Sequence, residues 1–300
     1  MGHSRCPSFG AHQSISGGFS KAVDRALDTG CDCLQIFTRN VNQWKVKPIS
    51  CDDANAFREA VQVSGLKLVV AHNSYLINPA SADPVLRKKS IDGLITELQR
   101  ADTLGIPWVV AHPGAAGKQT IARAVMRAAD GIAQSLSRTK KLSSGILIET
   151  TAGQGSCLGA TFEEIGHMLT RIDSKGEFHN RIGVCLDTCH VFAAGYPLSP
   201  KKSLDATIRE FDRLIGLNRL VLIHANDSKR EQGSRVDRHE AIGKGKIGQD
   251  AFKLIVRHPK LRTIPMILET PKEDADGKPN PNNDKRNLRL LRKLAQKETT

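Results

Sequence analysis

Short apolar runs of strand length alternate with amphipathic stretches of 12–20 residues along the whole chain. A strand buried on both faces reads as a continuous apolar run, while a helix packed on one side repeats near every 3.6 residues, so this alternation predicts repeated βα units around a parallel sheet. Eight strands are expected, over residues 9–11, 33–37, 66–71, 108–111, 146–148, 182–186, 220–223 and 265–268. The clearest helices are expected over 83–104, 120–138, 161–172 and 203–215. Pro84 falls at a first helical position, and Thr161 with Glu164 three residues on forms a capping box. Eight units in 300 residues give about 37 residues each, the length of a barrel repeat. The expected fold is an α/β (β/α)8 TIM barrel, one domain over 1–300 with its core at about 8–270. The composition shifts only after Glu269, where 271–284 reads as a polar loop and 285–296 as a closing basic helix.

Six successive runs end in a residue type that binds metals: His72, His112, Glu149, Asp187, His224 and Glu269, spaced 40, 37, 38, 37 and 45 residues apart. If the runs are barrel strands, these side chains converge on the C-terminal rim, where barrel active sites lie. A single histidine after a strand is ordinarily a loop or core residue. Six in register point to cations, because gathering three carboxylates and three imidazoles in one cup is electrostatically costly without them. His190, Asp237 and His239 fall in loops of the same rim, bringing the set to nine. Nine nitrogen and oxygen ligands exceed what one zinc uses and suit two or three ions sharing a bridging carboxylate; imidazole with carboxylate favours zinc, with Mn or Fe as substitutes.

Charge adds a partner. Lys and Arg number 44 against 31 Asp and Glu, a net charge of +13, which suggests a polyanion such as nucleic acid; plain solubility is the alternative. The seven cysteines are too few and too irregular for a disulfide scaffold, and Cys31/Cys33 and Cys185/Cys189 lack zinc-ribbon spacing, so they read as core packing in a reducing compartment. No apolar stretch approaches membrane-spanning length and no secretory signal is evident, so a cytoplasmic protein with no membrane partner is expected.

Several strings adjoin these positions: Gly10-Ala11-His12, the run from Ala71 to Asn78, His112-Pro113-Gly114, the run from Glu149 to Gly155, that from Gly183 to His190, and Asp237-Arg238-His239. Together they strongly resemble the endonuclease IV family of apurinic/apyrimidinic endonucleases. The resemblance implies a (β/α)8 barrel with three zinc ions that hydrolyses DNA 5′ to an abasic site, in base excision repair, leaving 3′-OH and 5′-deoxyribose phosphate ends. It also implies a monomer, and 3′-repair phosphodiesterase activity is a further expectation. Carried over by position, His72, His112 and Glu149 would hold one zinc. Glu149 would bridge to a second, held by Asp187, His224 and Glu269, and a third would sit on His190, Asp237 and His239. Such ions would acidify a water from a pKa of 15.7 towards ~7 and neutralise the phosphate. Glu149 and Glu269 would be the catalytic carboxylates, orienting or deprotonating that water, with His12 supporting them from behind.

Tyr75-Leu76 matches the family's minor-groove wedge, which fills the gap in the base stack; loop packing is the alternative. In the loop from Thr38 to Trp44, Asn42 stands where some members insert an arginine, so Arg39 or Lys45 is a substitute source of charge. Lys244 and Lys246 belong to a loop, 229–246, with six basic and three acidic residues, which reads as a phosphate-facing wall or as solvated charge. The same stretch contains Gly243-Lys244-Gly245-Lys246-Ile247-Gly248, a literal G-x-G-x-x-G that follows no strand and therefore predicts no dinucleotide site. The rival enzyme is a single-metal sugar isomerase or epimerase of related barrel type, which would need only Glu149, Asp187, His224 and Glu269. A basic DNA-binding barrel without activity is the non-enzymatic alternative.

Overall fold

The structure, a computed structural model, describes residues 7–274 and 277–296. Eight parallel strands close into a barrel. In chain order the strands are β1 (Phe9–Gln13), β2 (Cys33–Phe37), β3 (Leu68–His72), β4 (Trp108–Ala111), β5 (Gly145–Glu149), β6 (Ile182–Asp187), β7 (Leu220–His224), β8 (Asp227–Ser228), β9 (His239–Glu240) and β10 (Met266–Leu268). β10 completes the barrel between β7 and β1, while β8 and β9 form a small antiparallel ribbon on the rim. That ribbon has no counterpart among the expected strands, because two-residue strands carry no readable period. Strands β2 and β4 fall at their expected bounds, and β3, β5, β6 and β7 run one residue further, taking in His72, Glu149, Asp187 and His224 themselves.

Between the strands lie α1 (Phe19–Thr29), α2 (Cys51–Ser64), α3 (Pro84–Thr103), α4 (Ile121–Arg138), α5 (Phe162–Asp173), α6 (Thr188–Ala194), α7 (Lys201–Leu214) and α8 (Gly248–Arg257), with α9 (Asn282–Ala295) closing the chain. The capping residues act as their sequence suggests: Asp83 accepts from Val85 and Leu86 N–H groups with Pro84 behind it, and Thr161 accepts from Glu164 N–H. Helix α9 buries Leu288, Leu291 and Leu294 beside α8 and β1. The ends of the chain and residues 275–276 fall outside the described residues, so the expected tail loop is described only in part.

Two apolar layers hold this together. Outward-facing strand residues pack under the helices, and an inner plug of Cys33, Val70, Val110, Leu147, Cys185, Leu222 and Ile267 fills the barrel. Seven strands thus seal the interior below the rim, which is the packed core expected of this architecture. At Gly10 a Cβ would come within 1.8 Å of the Cys33 carbonyl oxygen, so the close approach of β1 to β2 requires glycine.

Candidate metal centre

Side chains on a strand alternate between faces. Two residues beyond each plug residue, the same face therefore carries Gln35, His72, His112, Glu149, Asp187, His224 and Glu269, and His12 stands two beyond Gly10. The floor is apolar and the layer above it polar. His190 arrives on α6, whose first turn is capped by the Asp187 carboxylate 2.8 Å from His190 N–H. The rim ribbon brings His239, with Asp237 just before it, back over the mouth.

Glu149 stands at the centre, fully buried. Its Oε2 lies 3.2 Å from His72 Nε2 and 2.9 Å from His112 Nε2, while Oε1 lies 2.8 Å from His224 Nδ1 and 3.5 Å from His190 Nδ1. Glu269 Oε2 is 3.2 Å from the same His224 nitrogen. On the outer side, His190 Nε2 lies 3.2 Å from Asp237 Oδ2 and 3.4 Å from His239 Nε2, which is itself 3.4 Å from Asp237 Oδ1 and 3.6 Å from Asp187 Oδ2. Three neighbouring groups result: His72, His112 and Glu149; Glu149, Asp187, His224 and Glu269; and His190 and His239 with Asp187 and Asp237. Ligand atoms of the sets His72/His112/Glu149, Glu149/Asp187/His224/Glu269 and Asp187/His190/His239 lie within 4.8 Å of one another.

Each buried imidazole commits one nitrogen to an oxygen acceptor outside the carboxylate cluster. His72 Nδ1 donates to the Asn73 carbonyl at 2.8 Å, His190 Nδ1 to the Thr150 carbonyl at 2.8 Å, and His224 Nε2 to Gln35 Oε1 at 2.8 Å. The remaining nitrogen of His72 and His224 faces Glu149, and that of His190 faces Asp237. This is the arrangement that orients imidazole for a cation, so the donor set fits zinc and related divalent ions.

Electrostatics reflect the crowding. Burial alone lowers the pKa of an imidazole, yet its neighbours outweigh it: His190, facing Asp187, Asp237 and Glu149, and His224, against the Cys185 sulfur and facing Glu269 and Glu149, are held well above the usual histidine value, and His72 is raised by Glu149. Burial pushes Glu149 up, but His112 and His224 bring it well below the usual carboxylate range. Glu269, against the same burial, is drawn to about 2 chiefly by His224, and Asp237 to about 2 chiefly by His190. His12 differs: burial dominates and lowers it to about 3, so it is a neutral imidazole beside Glu269.

Several participants were not singled out in the sequence. Gln35 joins His12, His224 and Glu269. Asn226 donates to Asp187 Oδ2 at 2.6 Å and accepts from Glu269 N–H at 2.7 Å. Neither ends an apolar run, so only strand alternation could have found Gln35, and nothing local marks Asn226. Cys185 Sγ lies within reach of Glu149 and His224, and Cys189 Sγ within reach of Asp237 and His239. Burial pushes the Cys185 thiol up to about 12 and raises Cys189 also, so both are protonated and unlike thiolate ligands.

Around the mouth, Tyr75 projects with 62% of its surface exposed, flanked by Phe37 at 5.8 Å between ring centroids; Leu76 is half-buried. Asn42 is exposed, its N–H on Asn40 Oδ1. Arg39 corrects an expectation. It is buried, its Nε ion-pairs with Glu97, and its Nη1 donates to the carbonyls of Gln43 and Trp44 at 3.1 and 3.2 Å, so it braces the loop from inside instead of offering charge to a ligand. Lys244 and Lys246 are exposed, Lys246 pairing with Glu231 at 2.7 Å. The glycine-rich motif they interrupt wraps a protein carboxylate: Asp227 accepts from the N–H groups of Gly243, Gly245 and Ile247 at 2.9–3.0 Å. A Cβ on Gly245 would sit 2.3 Å from the Ser228 carbonyl oxygen, which is the reason for glycine there.

A barrel with such a mouth defines a class before it defines a protein. Residues 23–294 match the family described as Xylose isomerase-like TIM barrel. A protein of Chloroflexus aggregans named Probable endonuclease 4 is 45% identical over 290 residues, spanning 97% of this chain and 98% of its own. A namesake from Methanoculleus marisnigri is 42% identical over 293 residues, spanning 95% and 98%. The crystal structure of endonuclease IV from Thermus thermophilus superposes with a TM-score of 0.82 at 34% identity, covering 96% of this chain and 98% of that one. The chain belongs to the endonuclease IV family of apurinic/apyrimidinic endonucleases. A D-tagatose 3-epimerase-like protein, with a TM-score of 0.69, 17% identity and coverage of 96% and 98%, shares the fold. No helix among the described residues is long and apolar enough to cross a membrane.

Proposed function

We propose that this protein is a zinc-dependent endonuclease of DNA repair that hydrolyses the phosphodiester 5′ to an abasic site in double-stranded DNA, leaving 3′-OH and 5′-deoxyribose phosphate ends, and that it acts as a monomer in the cytoplasm, with 3′-repair phosphodiesterase activity at the same centre. Support comes from membership in the endonuclease IV family and, above all, from Glu149 being shared between two imidazoles on each of its oxygens. In this reading His72, His112 and Glu149 hold one ion, Glu149, Asp187, His224 and Glu269 a second, and His190, Asp237 and His239 a third; Mn or Fe could replace zinc. Bound there, the ions supply positive charge to the phosphate oxygens and make a water more acidic.

The chain's own groups do the rest. Glu149 and Glu269 remain ionised at neutral pH, so both accept hydrogen bonds from the attacking water and orient it. His12, neutral, lies 4.0 Å from Glu269 Oε1 and supports it. Tyr75 and Leu76 enter the gap left by the missing base, and Asn42, Lys244 and Lys246 meet the backbone. A sugar isomerase has no use for His72, His112, His190, Asp237 and His239, and this surplus favours the nuclease.

The test is incision of a labelled duplex carrying one tetrahydrofuran abasic analogue, with undamaged duplex as control. A single cut 5′ to the analogue is expected. Absence of any cut by protein that carries about three zinc ions per chain would overturn the assignment of substrate, and a single bound ion would restore the isomerase.

A further inference from the structure

We infer that Gln35 is a positioning residue of this centre, an amide strut that fixes His224 and Glu269 relative to each other; the inference rests on the reading of the cluster as a metal centre. Gln35 is fully buried at the middle of β2, a strand that supplies none of the nine expected ligands. Its neighbours determine how the amide must lie. Glu269 can only accept a hydrogen bond, so the NH2 group faces it, Nε2 to Oε1. The second amide hydrogen meets His12 Nδ1 at 3.0 Å, which makes that nitrogen an acceptor. The carbonyl oxygen then has to face His224, 2.8 Å from its Nε2.

A chain of donors follows: His224 to Gln35, and Gln35 to Glu269. Its consequence lies at the other end of the imidazole, because committing His224 Nε2–H to Gln35 leaves Nδ1 as the nitrogen that faces Glu149 and Glu269 at 2.8 and 3.2 Å. Few side chains could do this. A carboxylate would accept from His224 but repel Glu269, lysine would donate but not accept, and asparagine is one methylene short. Strand alternation holds the amide in place, since Cys33, two residues back, lies in the sealed apolar plug. Outer residues of this type ordinarily change metal affinity by 10–100-fold when removed.

The experiment takes the full-length protein loaded with zinc and titrates it with a chelator, following zinc per chain by elemental analysis. Gln35→Met keeps the length and removes all three bonds; Gln35→Ala removes them with space to spare. Each variant is checked by circular dichroism, and either folded one decides. The expected result is that the most weakly held zinc leaves at a chelator concentration about 10–100-fold lower than in wild type. A folded variant that holds zinc as wild type does would overturn the role of Gln35 while leaving the metal centre intact. Wild type that takes up no zinc would overturn both. Nitrogen NMR on the zinc-loaded wild type provides a check that needs no substitution: His224 should carry its proton on Nε2, and a proton on Nδ1 would refute the strut.

Discussion

His224 Nδ1 and Glu149 Oε1 stand 2.8 Å apart at the barrel mouth, on strands β7 and β5, with neither side chain reached by solvent. The same carboxylate faces three further imidazoles, so its charge is shared by groups from four separate stretches of chain. Gln in its place keeps the shape and removes the charge. Glu149→Gln is expected to lower incision of abasic duplex by at least about 100-fold and to reduce zinc per chain, while circular dichroism stays native. Full activity in that variant would refute the bridging role.

Protons and metal ions compete for the same nitrogens, which gives the stability of the chain a definite pH dependence. Folding raises His190 and His224 above the unfolded histidine value of about 6.5, against the opposing effect of burial, because Asp187, Asp237 and Glu149 surround the first and the Cys185 sulfur, Glu269 and Glu149 the second. Their contribution in metal-free protein is complete below about pH 6.5 and vanishes as pH rises through the folded values. Glu269 and Asp237, both depressed to about 2, work the other way: their contribution is present above their unfolded values and is lost as pH falls towards 2. His12, lowered to about 3, loses stability as pH falls below about 6.5, so Tm in excess chelator is expected to peak near pH 6.5 and to fall towards pH 9, while the gain on adding zinc grows over that rise. A metal-free Tm that climbs from pH 6.5 to 9 would contradict this.

Tyr75 is too exposed to matter much to folding. Replacing Tyr75 and Leu76 by Ala should change stability little through Tyr75, while weakening binding to abasic duplex more than binding to intact duplex. Equal losses on both DNAs, measured by titration at fixed salt, would reduce the pair to loop packing.

Arg39 and Glu97 form a buried ion pair beneath the loop that carries Asn42. Arg39→Met leaves Glu97 charged and buried, for which a loss of about 3–5 kcal/mol is expected, with Glu97→Leu recovering much of it in the double variant. Chemical denaturation measures both. If Arg39→Met instead leaves stability intact and lowers the salt dependence of DNA binding, the guanidinium faces DNA after all.

Lys244 and Lys246 ride on the loop that wraps Asp227. If they meet phosphates, changing both to Gln should weaken binding to every DNA sequence alike and lower the slope of log affinity against log salt by up to about 2. An unchanged slope would leave them as solvated charge. Gly245→Ala, by contrast, should cost about 1–3 kcal/mol without touching that slope, since its Cβ would press on Asp227 and Ser228.

What the sequence by itself determined is whatever follows from local period and from the order of residues along each strand. Apolar runs of near-constant spacing specify parallel strands with helices between them, and a polar residue ending each run must emerge at the same rim, so His72, His112, Glu149, Asp187, His224 and Glu269 could be read together. Helix starts at Asp83 and Thr161 are likewise local, depending on one side chain and the next three N–H groups. Tertiary structure decided what depends on distance across the barrel. Gln35 lies in the middle of β2, and its importance arises only because closing the barrel brings β10 and β7 to it from more than 180 positions along the chain. Arg39 reads as surface charge until Glu97 on α3 is packed against it. The glycine-rich motif resembles a phosphate cradle until Asp227 is found to occupy it. In each case the partner is remote in sequence, and the energetic outcome for a buried polar group is set by which partner it meets.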